Sequence, residues 1–150
     1  MRIFSCFVTA VLIAITLVVP LWAESLSVYQ DRIETKDINR ILSENSLSPD
    51  ENIRSTFLHK TEHASIHLIQ IRFKEKPHIH KTHDLLVILK RGKGVLHIGG
   101  ETVQMKKGDS VLIPQGVVHF FENITDEVAV GLGIFNPPYD GTDMVPVESP

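Results

Sequence analysis

Seven consecutive residues, His78-Ile79-His80-Lys81-Thr82-His83-Asp84, carry four side chains able to bind a metal ion. In an extended segment His78 and His80 point to the same face, about 7 Å apart along the strand. Two imidazoles so placed can converge on one ion if further ligands arrive from elsewhere in the chain. His119 offers one. It stands in Gly108-Asp-Ser-Val-Leu-Ile-Pro-Gln-Gly-Val-Val-His-Phe-Phe-Glu-Asn123, where a turn, an apolar strand, a Pro-x-Gly turn and a second strand present a single histidine among apolar neighbours. Neutral imidazoles suit one divalent transition metal (Zn, Fe, Mn, Ni or Cu), and an open position would admit water, dioxygen or a bidentate substrate. Because imidazole binds metal only when neutral, affinity is expected to fall below about pH 6.5.

The other histidines, His59, His63, His67 and His97, lie singly, and an exposed or hydrogen-bonded role is expected for them. The only cysteine, Cys6, lies in a first stretch unlike the rest. Arg2 is followed by an uncharged run from Ile3 to Val19, then Pro20-Leu-Trp-Ala23 and the acidic Glu24. This is the layout of an export signal, so residues 1–23 are expected to be removed after Ala23, leaving a periplasmic or secreted protein without a thiol. The alternative is a membrane anchor through residues 3–22. Loss of Arg2 would move the formal charge from −3 to −4, since it is the only charged residue among the first 23. With mild acidity and no basic run, no nucleic-acid partner is expected, and a membrane contact only if the signal stays attached.

The chain of 150 residues, 43% of them apolar, has one domain's worth of core-forming sequence. Residues 24–52 read as an N-terminal linker and a short helix over Thr35–Glu44, with Ile38, Ile41 and Leu42 on one face. Residues 53–150 are β in character. Strands are expected at Ile53–Lys60, Ser65–Phe73, Leu85–Leu89, Val95–Ile98, Thr102–Met105, Ser110–Ile113, Val117–Asn123 and Val128–Phe135. Between them Arg91-Gly-Lys-Gly94, Gly99-Gly-Glu101, Lys106-Lys-Gly-Asp109 and Pro114-Gln-Gly116 carry turn chemistry. Short strands at this spacing make an all-β sandwich or barrel.

Gly108, Pro114, Gly116, His119 and Asn123 meet every fixed position of the second motif of the cupin superfamily, which the chain therefore resembles. The first cupin motif is met by His78, His80 and the closing Gly92, whereas Arg72 stands at its leading glycine and Leu85 at its glutamate. The resemblance covers residues 65–138 and implies a double-stranded β-helix, a jelly-roll-like barrel with the short helix outside it. It also implies a metal in the interior on His78, His80 and His119, and, as in many family members, a homodimer. Leu85 cannot ligate, so the fourth ligand falls to His83, which shares the strand face of Leu85, or to Asp84. Asn123-Ile-Thr125 matches a glycosylation acceptor, but an amide at that motif position is expected to fix a turn.

A metal in an apolar barrel fits an enzyme, an oxygenase or an isomerase on a small organic acid or sugar. No acid or base stands out, because Glu62, Glu75, Glu101, Asp109 and Glu122 fall at turns, where solvated roles are expected. The missing motif glutamate fits a second class, a non-catalytic module that binds or senses a ligand or metal. A metal-free structural cupin is the third. Near the end, Phe135-Asn-Pro-Pro-Tyr-Asp-Gly-Thr-Asp-Met144 is expected to leave the last strand and pack near the barrel mouth, where Tyr139 and Asp140 could border a ligand.

Overall fold

The computed structural model describes residues 35–148; the expected export signal lies outside them. Among the described residues ten strands follow one helix: α1 (Ile38–Glu44), β1 (Ile53–Lys60), β2 (Ser65–Ile71), β3 (His78–His80), β4 (Asp84–Arg91), β5 (Lys93–Ile98), β6 (Glu101–Lys106), β7 (Ser110–Ile113), β8 (His119–Asn123), β9 (Ala129–Asn136) and β10 (Met144–Pro146). They form two five-stranded sheets, in the orders β1-β2-β9-β4-β7 and β10-β3-β8-β5-β6. Every pairing is antiparallel.

The core lies between the sheets. Ile71, Leu85, Leu89, Ile113, Ala129 and Phe135 of the first sheet meet Leu96, Met105 and Phe121 of the second. Burying one face of each sheet is the main stabilising term, at about 25 cal/mol per Å² of apolar surface. On the outer face of the first sheet, α1 rests Ile38, Ile41 and Leu42 against a smaller cluster of Leu58, Leu68 and Val130. Asp37 starts that helix, its carboxylate accepting hydrogen bonds from the Asn39 and Arg40 amides. The helix is three residues shorter at its start than Thr35 predicts, because the chain enters extended at this cap. No helix among the described residues is long and apolar enough to cross a membrane.

Two glycines serve the site directly. Gly116 adopts φ +74°, a left-handed conformation that L side chains rarely take, and its amide donates to the His80 carbonyl at 2.6 Å. The turn therefore ties the end of β3 to the start of β8, which begins at His119 because Val117 is consumed in the turn. Gly94 lets β5 pass under the Phe121 ring: a Cβ there would lie 2.0 Å from Phe121 Cζ.

Asn123 fixes a turn, as its motif position implied. Its side-chain amide donates to the Arg72 and Glu127 carbonyls at 2.9 and 2.7 Å, and its oxygen accepts from the Thr125 amide at 3.1 Å. The tail does more than approach the mouth. It returns as β10, a strand the sequence did not announce, and pairs with β3.

Candidate metal centre and cavity

Cross-strand register assembles the histidines. His78 on β3 is the direct partner of His119 on β8, and His80 follows two residues on, on the same face. Ring centroids lie 4.3 Å apart for His78 and His119, 5.3 Å for His78 and His80, and 5.4 Å for His80 and His119. All three side chains are buried, and one nitrogen from each lies within 4.8 Å of the others. Metal–imidazole bonds of about 2.0–2.1 Å put two such nitrogens at most about 4 Å apart on one ion, so small side-chain adjustments bring these three onto a common centre.

Hydrogen bonding selects which nitrogen faces inward. His78 Nδ1 lies 2.9 Å from the Lys76 carbonyl, His119 Nδ1 2.9 Å from the Val117 carbonyl, and His80 Nδ1 3.1 Å from Asp143 Oδ1. These oxygens accept only, so in each neutral ring Nδ1 carries the proton and Nε2 keeps its lone pair. Metal-binding histidines are held in this way, with the second nitrogen donating to a carbonyl or carboxylate. His119 Nε2 is buried and has no hydrogen-bond partner among the described residues. An orphaned buried acceptor costs about 1–3 kcal/mol, which an ion would offset. The donor set therefore fits a divalent transition metal.

Burial also favours the neutral form. It pushes His119 down to about 4, against the Val117 hydrogen bond that works the other way. It likewise lowers His80, even though Asp143 opposes it. Both rings therefore stay neutral below the ordinary histidine range.

The fourth predicted histidine is not brought into the set. His83 is buried, but its Nδ1 bonds the Asp143 carboxylate and its Nε2 lies 3.1 Å from the Pro138 carbonyl. Both nitrogens face oxygens, and neither offers a lone pair to the centre. Asp84 is exposed and accepts from the Gln115 amide at 2.9 Å, securing the turn before β8. Leu85, at the motif's glutamate position, points into the core. Among the described residues, His78, His80 and His119 are the three side chains grouped closely enough to hold an ion.

Asp143, which sequence reasoning missed, organises this end of the barrel. Its carboxylate accepts from His80, His83, the Thr82 amide and the Thr82 hydroxyl. Burial works against its charge, but these bonds outweigh that and hold the carboxyl well below the usual range. The other histidines take structural roles: His67 sits between Ser55 and Ser65, and His97 stacks on Phe120.

The three histidines open onto a cavity of about 130 Å³ inside the barrel. Most of its wall is aliphatic, with Tyr139 and Glu75 among the exceptions. Tyr139 stacks on Phe135 and its hydroxyl is pushed up, first by burial and then by Asp143 and Asp140. Asp140 stays exposed, its carboxylate accepting from Thr142. Glu75 departs from its expected solvated role: half-buried, it lines the cavity and accepts from the Phe121 amide at 2.8 Å. Burial pushes its carboxyl up, against the pull of His78 and the Phe121 hydrogen bond.

The family of the Cupin domain matches residues 66–135. The chain is a member of the cupin superfamily. This cupin is 44% identical to an uncharacterized protein of Aquifex aeolicus (strain VF5) over 115 residues, 77% of this chain and 93% of that one. It is 30% identical to the L-ectoine synthase of Aliivibrio fischeri (strain MJ11) over 96 residues, 63% of this chain and 75% of the relative. Among solved structures, KdgF from Halomonas sp. shares the fold at a TM-score of 0.60 and 20% identity, over 72% of this chain and 97% of that one.

Proposed function

We propose that this cupin is a metal-dependent enzyme that binds one divalent transition metal on His78, His80 and His119 and converts a small organic molecule in the adjoining cavity. The observation that carries this is the set of three buried imidazoles, one nitrogen of each within 4.8 Å of the others, at the wall of an apolar cavity. A bound metal would act there as a Lewis acid on a substrate oxygen. The chain's own contribution is to exclude water with Leu85, Leu89 and Phe121, to fix the three rings through their Nδ1 hydrogen bonds, and to place Glu75 beside the substrate. The likeness to an L-ectoine synthase supports an enzyme over a structural barrel.

The test compares metal-loaded with chelator-treated protein against small alcohols and phenols beside hydroxy acids, keto acids and sugars, following oxygen uptake and product formation. Metal-dependent turnover supports the enzyme, and oxygen uptake separates an oxygenase from an isomerase. A second reading, a non-catalytic binding module, is favoured by Leu85 in place of the motif glutamate, which deprives the metal of a carboxylate. Ligand-dependent melting without turnover would select it.

Export is part of the same proposal. Residues 1–23 would be removed after Ala23, delivering the barrel to the periplasm or medium. N-terminal sequencing of the protein from its native host should start at Glu24; a first residue of Met1 on protein retained in the membrane would favour the anchor.

A further inference from the structure

Glu75 is the only carboxylate among the described residues that line the cavity. Its position is set from two sides. Its amide donates to the Phe121 carbonyl at 2.9 Å, and its Oε2 accepts from the Phe121 amide at 2.8 Å. Next to it, the Lys74–Glu122 bridge continues the same pairing onto β8. The other oxygen, Oε1, takes no hydrogen bond among the described residues, although a carboxylate can accept several. Glu75 is not one of the three grouped metal-binding side chains. Oε1 is not among the buried polar atoms left without a partner, so it stays accessible, and a donor on a molecule in the cavity would meet a rigidly held acceptor there.

The cavity limits what that can be. At about 130 Å³ it approaches an engineered apolar cavity of about 150 Å³ that takes benzene, so the occupant has roughly six or seven non-hydrogen atoms. Its wall, built from residues such as Ile71, Leu85, Leu96 and Ile113, favours a mostly apolar body. A cationic donor is disfavoured, since a single half-buried carboxylate does not repay the desolvation of an ammonium group. A hydroxyl carries no such cost.

We propose that Glu75 is the residue that selects the cavity's ligand, its free oxygen accepting a hydrogen bond from a hydroxyl on a small, mostly apolar molecule. This rests on the reading of the cavity as the ligand pocket, and it deepens that reading by naming the substrate class.

The experiment uses phenol and toluene, which match in shape and differ in the hydroxyl, titrated by NMR into the parent protein, Glu75→Leu and Glu75→Gln. It is run on metal-free and metal-loaded samples, with metal content and melting temperature measured on each. In metal-free protein, Glu75→Leu should weaken phenol about tenfold or more while changing toluene by less than about threefold. Glu75→Gln, which keeps an acceptor oxygen, should retain part of the phenol affinity. Metal content should be the same in all three. The proposal is overturned if the parent does not bind phenol, if Glu75→Leu leaves phenol affinity unchanged, or if both probes weaken equally. Failure of the parent to take up metal would count against the metal reading alone, because the metal-free comparison still decides the role of Glu75.

Discussion

Asp143 Oδ1 accepts a hydrogen bond from His80 Nδ1 at 3.1 Å although the two residues are 63 positions apart, and its other oxygen holds His83. One carboxylate therefore joins the returning tail to a ring of the proposed metal centre. The same residue takes the Thr82 amide and hydroxyl, so the link between β3 and β4 is clamped as well.

Asp143→Asn should weaken metal binding about 10–100-fold, the usual cost of losing the partner behind a ligating histidine. The barrel should remain folded, because its core lies elsewhere. Competition titration with a chromophoric chelator measures the affinity, and circular dichroism checks the fold. Unchanged affinity would show that Asp143 secures only the tail.

His83→Gln should keep its full complement of metal, since both His83 nitrogens face oxygens away from the centre. It should lower stability by about 1–3 kcal/mol by leaving one of its two oxygen partners, Asp143 or the Pro138 carbonyl, short of a donor. Metal analysis of the purified variant reads the first effect and urea unfolding the second.

The metal-free protein should lose stability on acidification. His119 is held near 4 when folded and takes up a proton near its ordinary 6.5 when unfolded. Between these values the unfolded chain binds more protons, so stability is intact above about pH 6.5 and falls as pH drops toward 4. At about 1.4 kcal/mol per pH unit the loss approaches about 3 kcal/mol. The lowered His80 acts in the same direction, the raised Glu75 opposes it because the folded chain holds a proton there that the unfolded one releases, and the depressed Asp143 adds a further loss only below the ordinary carboxylate range. Urea midpoints of Glu75→Gln, which lacks the opposing carboxyl, at a series of pH values check this; a flat profile across that window would contradict the burial of His119.

Gly94→Ala should destabilise the barrel by about 1–3 kcal/mol, the usual cost of overpacking a core. The added methyl would fall on the Phe121 ring and near the Glu122 carbonyl, at 2.0 and 2.5 Å. Since Phe121 also holds Glu75, the variant should lose phenol affinity along with its lowered melting temperature. Differential scanning calorimetry tests the first part.

Much of this arrangement was legible in the sequence. The second motif placed Gly116 in a turn and His119 on the strand after it, although that strand starts at His119 and not at Val117. Period-two alternation put His78 and His80 on one face, and turn residues bounded Ile53–Lys60 and Ser110–Ile113 at the residues observed. Glu75 was not legible, because Lys74-Glu75-Lys76 is charged throughout and carries no apolar residue to mark the inward side. Asp143 was hidden for another reason. Its partners are about sixty residues away, and only the return of β10 along β3 brings them together. The position of His83 followed from that same contact, which strand parity could not foresee.

The most direct test of the account is the metal content of the purified, tag-free protein beside its His78→Ala and His119→Ala variants. The parent should hold about one divalent transition metal per chain and both variants should lose it, with the barrel still folded. A parent that takes up no metal after reconstitution, or variants that retain it, would contradict a centre built on these three histidines.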